Sequence, residues 1–166
     1  MRPHFLAMVN SFRRFVRSFG YAGSGFFQAV CLGRNLRFIL CAGVTAIIWG
    51  LICQLNAAKW ALLVLTVGTV VSAELLNTAI EAAVDLVTLE WHPLAKRAKD
   101  VAAAAVLVIC ITSLGAGLAI FGDQQSRGLI LHHMQRYWYA WLSGFAIMAA
   151  FTFKESGADK IKHNHQ

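Results

Sequence analysis

Carboxylates inside an apolar run limit what this chain can fold into more than any other feature. The run begins near Trp60, contains no proline, and ends in Glu74-Leu75-Leu76-Asn77-Thr78-Ala79-Ile80-Glu81-Ala82-Ala83-Val84-Asp85. A stretch so apolar reads as a membrane-spanning helix. At 3.6 residues per turn, positions 74, 77, 78, 81 and 85 share one face. Three carboxylates and an amide therefore form a stripe, with Ala, Leu, Ile and Val around the rest. Ionisable groups within a membrane helix are costly and usually mark a site. Buried helix–helix glue is the structural alternative, but glue has little use for three groups of like sign that repel one another. Three acids on one face call for a cation, and a divalent metal is the simplest.

The rest of the chain agrees with a membrane setting. Of 166 residues, 58% are hydrophobic and 14% charged, too apolar for an ordinary soluble domain. The expected class is all-α integral membrane: an amphipathic surface helix, three long transmembrane helices and a fourth. Residues 1–33 form the surface segment, 34–122 a three-span core, 123–153 an additional span and 154–166 a polar tail. Phe12, Phe15, Val16 and Phe19 follow helical spacing among Arg13, Arg14 and Arg17, which suits an anionic membrane surface. Gly20 to Gly25 is expected to break or bend this helix, and without Gly-Lys-Ser/Thr it is no Walker A loop. Spans are expected from about Leu36 to Leu55, from Trp60, from Val101 to Phe121, and from Trp138 to Phe153. Gln54–Lys59 and Gly122–Arg127 read as turns and residues 88–100 as a polar loop. No cleavable leader is evident, because the N-terminus lacks an apolar core ending in a cleavage site. Cys31, Cys41, Cys53 and Cys110 lack metal-ligand spacing and read as small core residues. His132 and His133 read as interfacial, since adjacent residues face different sides of a helix.

The basic residues set the orientation. Twelve of the fifteen lysines and arginines precede the first span, lie between the second and third, or follow the fourth; Lys59, Arg127 and Arg136 fall on the other side. Four spans with both termini in the cytoplasm satisfy the positive-inside rule. The acid stripe then sits at the cytoplasmic end of span two, Glu74 deeper and Glu81 and Asp85 nearer water. The segment Lys96–Asp100 is expected to fold back over it.

Residues 12–122 resemble the small prokaryotic diacylglycerol kinase and undecaprenol kinase family. The resemblance is carried by Glu74-Leu75-Leu76-Asn77-Thr78-Ala79-Ile80-Glu81 with Val84-Asp85, then by His92-Pro93-Leu94-Ala95-Lys96 and Ala98-Lys99-Asp100 with Ala102 to Ala105. Arg34-Asn35, Tyr21 and Gly25 are fainter matches, the first closer to the undecaprenol kinase branch. The resemblance implies a homotrimer in the bacterial inner membrane that transfers the γ-phosphoryl of MgATP to a lipid alcohol, undecaprenol or diacylglycerol, with no nucleic-acid partner. It implies Glu74 as general base, Asn77 orienting lipid or phosphate, Glu81 on Mg²⁺, and Lys99 on the nucleotide phosphates. Asp100 is implied on the adenosine side or in holding Lys99, Asp85 in ordering the following segment, and Tyr21 and Gly25 at the nucleotide. Phosphoryl transfer needs mainly positioning and charge neutralisation, so this sparse set suffices. Two positions depart from the family pattern. Gly33 stands where an acidic second metal ligand is usual, and Ile39 where a polar residue is common. Asp85, a phosphate oxygen or water is then left to complete the metal shell. A non-catalytic relative and a small transporter are the competing classes; acids clustered at one end, instead of lining a path, speak against transport.

Overall fold

The computed structural model describes the backbone of residues 3–153 and side chains from Arg13 onward. The predicted tail 154–166 lies outside the described residues, as do the side chains up to Phe12. Six helices follow in order: α1 Pro3–Leu32, α2 Arg34–Ile52, α3 Ala57–Val87, α4 Pro93–Phe121, α5 Gln124–Arg136 and α6 Trp138–Phe153. Helices α2, α3 and α4 are long and apolar enough to cross a membrane. At 1.5 Å per residue, the 31 residues of α3 reach about 46 Å, well beyond a hydrocarbon core of roughly 30 Å. Helix α6 is apolar but only 16 residues long.

Several expected boundaries move, each for a local reason. Gly20–Gly25 does not interrupt α1, which is one helix of 30 residues. Each glycine costs about 1 kcal/mol in a helix, but Phe15, Phe19 and Phe26 keep one apolar stripe in register across the segment. The polar loop at 88–100 shrinks to 88–92. Pro93 occupies the first turn of α4, where its missing N–H costs nothing, and His92 Nδ1 accepts from the Leu94 N–H at 3.3 Å. Lys96, Arg97, Lys99 and Asp100 therefore ride on the opening turns of α4 and do not lie in a loop. The turn expected over Gly122–Arg127 is only Gly122 and Asp123, since Asp123 caps α5 by accepting from the Ser126 N–H and hydroxyl, both at 2.9 Å. Helix α5 itself was not expected. The turn before α3 likewise ends early, because the Asn56 side chain accepts from the Lys59 N–H at 3.0 Å.

Helices α3 and α4 pack along each other, α2 lies on α3, and α1 touches both α2 and α3. Gly43 lets α2 and α3 approach closely: a Cβ there would stand 2.9 Å from Val67 Cγ1. The small core joins Cys53, Leu55, Leu63 and Ile120, flanked by Trp60, Phe121 and Ile130. It sits where α2 ends, α3 begins and α4 hands over to α5. Of the four thiols, Cys53 is the core residue expected from sequence; Cys31 and Cys110 are exposed and Cys41 half-buried. Cys53 Sγ faces the Ser126 carbonyl at 3.8 Å, and burial pushes its thiol pKa up, so it stays a neutral packing group. Most other large apolar side chains are exposed in the single chain, as lipid-facing or helix-packing surfaces in a membrane are.

An ion pair and a ring stack are among the contacts that fasten the C-terminal pair to this frame. Lys59, in the first turn of α3, pairs with the α5 cap Asp123 at 2.5 Å. Trp141 of α6 stacks on Trp49 of α2 with centroids 4.5 Å apart and planes within 6°. His133 packs at 5.4 Å from the Tyr137 ring.

Two predictions follow from this packing. Gly43→Leu overfills the α2–α3 contact and costs about 1–3 kcal/mol, whereas Gly23→Ala, with nothing within 4 Å of the new Cβ, gains about 0.5–1 kcal/mol; thermal unfolding in detergent micelles separates them. The Lys59 ammonium, helped by the Ser126 N–H and hydroxyl, holds the Asp123 carboxyl well below the usual carboxylate range. A depressed folded pKa means that the clamp contributes in full above the ordinary carboxylate range and is lost as pH falls through the lowered value. Melting curves run at decreasing pH should therefore fall less steeply for Asp123→Asn than for the parent protein.

Candidate functional site

The acid stripe occupies the C-terminal half of α3. Glu74 lies 17 residues into that helix, about 26 Å from its start and so at the far end from the small core. Glu74 is 4% exposed and Asn77 6%, while Glu81 and Asp85 are exposed. One continuous helix thus carries a polar face from a buried position out to an open one, which is the gradient the sequence pattern predicts. Asn35 of α2 reaches Glu74, and α3 packs along α4 and α2 and touches α1. Leu36 of α2 is fully buried, and Gly33 closes the α1–α2 junction by donating to the Ala29 carbonyl at 2.7 Å.

Hydrogen bonds divide the stripe into separate tasks. The Asn77 amide nitrogen donates to Glu81 Oε1 at 2.9 Å, and Thr78 spends its hydroxyl on the Glu74 backbone carbonyl at 2.9 Å. Thr78, although on the polar face, is thereby absorbed into the helix. The Asn35 side chain, from the first turn of α2, hydrogen-bonds to the Glu74 carboxylate. Asn77 Oδ1 is buried and accepts no hydrogen bond from the protein. A buried acceptor in that condition costs about 1–3 kcal/mol, and such groups are uncommon in native structures.

The last polar position of the stripe is tied to the next helix. Lys99 Nζ donates to Asp85 Oδ1 at 2.5 Å across the 88–92 loop. The pair joins the end of α3 to the start of α4. Asp85, not the adjacent Asp100, holds Lys99. Asp100 is exposed. Tyr21 is 74% exposed and Gly25 has open space about it; no hydrogen bond or ion pair among the described residues ties either to the acids. The structure therefore brings together Glu74, Asn77, Glu81, Asp85 and Lys99, and leaves Tyr21, Gly25 and Asp100 outside that constellation.

Two residues near the site escaped sequence reasoning. Asn35 was noted only as part of a dipeptide. Arg37 was counted among the orienting cations, yet it is 5% exposed, with Nη1 3.4 Å from the Cys31 carbonyl at the end of α1. Its spacing one turn after Gly33, on the side of α2 that buries Leu36, was the available signal. Gly33 also explains its own identity: a Cβ there would lie 2.9 Å from the Ala29 carbonyl oxygen. An acidic side chain at this position would need the α1–α2 junction to open. Among the described residues, no three His, Cys, Asp or Glu side chains gather as a metal cluster.

Comparison with known proteins matches residues 20–121 to the family model described as prokaryotic diacylglycerol kinase. The chain is 44% identical to the undecaprenol kinase of Bacillus subtilis over 112 residues, covering 68% of this chain and 91% of that protein. It is 44% identical to a diacylglycerol kinase of Synechocystis over 101 residues, covering 60% of this chain and 58% of the relative. It is 34% identical to the Escherichia coli diacylglycerol kinase over 106 residues, covering 64% and 87%. No solved structure matches the chain at a significant level.

The Lys99–Asp85 pair lies within the matched segment and remains partly exposed, at 36% and 50% of the two side chains. Its worth to stability is accordingly small. Asp85→Asn should change unfolding free energy by no more than about 1 kcal/mol, and raised salt should narrow even that difference. A larger, salt-independent loss in micelle unfolding experiments would mean that the pair holds the α3–α4 junction together.

Proposed function

This chain belongs to the prokaryotic diacylglycerol kinase family, and from that premise we propose that it moves the γ-phosphoryl of ATP to the hydroxyl of a membrane lipid at the cytoplasmic face. The observation that carries the reading is the burial of Glu74 beside an outward run of polar groups. A carboxylate shielded from water within a membrane helix is placed to meet a lipid hydroxyl, and Glu81 and Lys99 stand farther out, where a soluble nucleotide arrives. Relatives named undecaprenol kinase and diacylglycerol kinase support a lipid alcohol as acceptor. Undecaprenol is the preferred one in this reading, on the strength of Arg34-Asn35, His92-Pro93-Leu94-Ala95-Lys96 and the extent of the Bacillus subtilis match.

The residues divide the work as follows. Glu74 takes the proton of the acceptor hydroxyl as its oxygen attacks phosphorus. Asn35 and the α2–α3 contact hold that carboxylate in place. Asn77, a turn farther along α3, orients the transferring group. Lys99, positioned by Asp85, meets the phosphate oxygens as a point charge. Glu81 is the carboxylate available to Mg²⁺. Phosphate oxygens and water would complete the shell of a magnesium ion, which keeps few protein ligands. When bound with the nucleotide, Mg²⁺ neutralises charge on the phosphates. Asp100, Tyr21 and Gly25 are assigned to the nucleotide on family resemblance. Helix α6, 16 residues long, is the fourth span in a locally thinned bilayer, which returns the C-terminus to the cytoplasmic side. The exposed apolar faces of α3 and α4 support assembly with further copies, a homotrimer by resemblance.

Purified protein in detergent micelles, given labelled MgATP and either undecaprenol or diacylglycerol, tests the reading. Transfer to undecaprenol should exceed transfer to diacylglycerol. Glu74→Gln should lose at least about 100-fold in kcat, the contribution expected of a positioned base, with KM for ATP little changed. Full activity in that variant would remove Glu74 from its role.

A further inference from the structure

Helices α5 and α6 lie outside the segment matched to the family, residues 20–121. Helix α6 runs back along α2. Trp141 stacks on Trp49, and the Thr45 hydroxyl stands 3.6 Å from Met148 Sδ, so the two helices are antiparallel. They do not close against each other along their whole length. A groove of about 740 Å³ remains, lined by Val44, Ile48 and Trp49 of α2, Trp138 and Phe145 of α6, and Met134 of α5. That volume is typical of a ligand site. Its walls are aliphatic and aromatic, and the Thr45 hydroxyl already donates to the Cys41 carbonyl at 2.9 Å. Helix α2 is long and apolar enough to cross a membrane, and α6 carries no charged residue. A hydrocarbon chain is the occupant that suits such a groove.

Hydrocarbon alone does not make the site selective, because a chain entering it leaves neighbours that are equally apolar. Selection falls to the headgroup. Trp49, Trp138 and Trp141 stand at the α5 end, and indoles favour the headgroup level. Helix α5 contains Arg127 and Arg136 and no acid, and its cap Asp123 is paired with Lys59. The helix is thus net positive and attracts anionic headgroups. Arg127, Leu131 and Met134 share one face by their spacing; Arg127 is exposed, and Met134 lines the groove. Arg136 lies on the opposite face, its guanidinium 5.9 Å from the centroid of the Tyr137 ring. Along α2, Trp49 is about 21 Å from Asn35, which bonds to Glu74. The groove is therefore remote from the acid stripe.

We propose that α5 and α6 build a site for an anionic phospholipid, with one acyl chain in the groove between α2 and α6 and the phosphate at Arg127. This rests on α6 lying in the membrane as the fourth span. It does not rest on phosphoryl transfer, and a chain without kinase activity would still show it.

Tryptophan quenching by brominated lipid chains tests it. The full chain carrying Trp91→Phe keeps the three groove indoles and the half-buried Trp60. It is placed in phosphatidylcholine vesicles containing increasing fractions of phosphatidylglycerol brominated on its chains, or of phosphatidylcholine brominated in the same way. Half-maximal quenching should need about fivefold less of the anionic lipid, the gain expected of one arginine near a charged headgroup. Arg127→Gln should abolish that preference, Arg127→Lys should restore it, and Arg136→Gln should leave it in place. Gly144 lines the groove and has nothing within 4 Å of an added Cβ. Gly144→Leu should therefore fold, fill the groove and reduce quenching by the anionic lipid to the level of the zwitterionic one. Equal quenching by both lipids in the parent protein means ordinary surrounding lipid and overturns the proposal. Equal loss in Arg127→Gln and Arg136→Gln makes the preference a diffuse field and overturns the contact at Arg127. Quenching unchanged by Gly144→Leu puts the chain outside the groove and overturns its placement. No quenching by either lipid overturns the site altogether. Aqueous acrylamide then separates the causes: strong quenching means that α6 lies outside the bilayer, and weak quenching that a second copy covers the groove.

Discussion

Polar groups buried in the C-terminal half of α3 set the terms for everything around them. A bilayer offers neither water nor hydrogen-bond donors to a carboxylate, so Glu74 and Asn77 persist only where protein covers them. The start of α2 reaches Glu74 through Asn35, and Gly43 lets α2 approach α3 closely. Lower on the same helix pair, Cys53, Leu55, Leu63 and Ile120 hold the opposite end. The bundle is thus pinned at one end by apolar contact, while its other end encloses charge. That division explains why so small a core is enough: most of its apolar surface answers to lipid or to neighbouring helices.

Much of this was legible in the residues. Period 3.6 put the acids on one face, and the absence of proline kept α3 whole. These are signals of local chemistry and survive without knowledge of packing. Positions decided by competition between weak local effects were not legible. Gly20–Gly25 looked like a break because glycine has an intrinsic cost, yet Phe15, Phe19 and Phe26 recover that cost along a shared stripe. Lys96 to Asp100 looked like loop because charge and a preceding proline suggest one; the same proline, capped by His92, starts a helix. Helix α5 was hidden by its polar composition, and only the Asp123 cap betrays its start.

Arg37 and Asn77 show a different limit. An arginine just before an apolar run is read as an interfacial cation, and its burial depends on where α1 ends, a tertiary fact. An asparagine between two glutamates at helical spacing is legible as a site residue, but which of its two amide atoms faces inward is not. The unsatisfied acceptor emerges only when every neighbour is in place. Departures from the family pattern need the same context. Gly33 reads as a missing acid until its surroundings are seen, where a Cβ would stand 2.9 Å from the Ala29 carbonyl oxygen.

The stripe on α3 also orders its parts by the medium each must meet. Glu74, deepest and driest, is suited to a hydroxyl that arrives from the lipid side. Asn77 and Glu81 come one and two turns later, where burial gives way to water, and Asp85 with Lys99 stands beyond them on two different helices. In the proposed reaction a phosphoryl group carried by a soluble donor approaches from the charged end, and the acceptor from the apolar end. Asn77 lies between the two and is buried with one atom to spare. A single helix fixes that order by its pitch, so the spacing of Glu74, Asn77, Glu81 and Asp85 along α3 is set at about 1.5 Å per residue. For a reaction that depends on placement more than on covalent chemistry, a polar stripe on one unbroken helix is a sufficient scaffold.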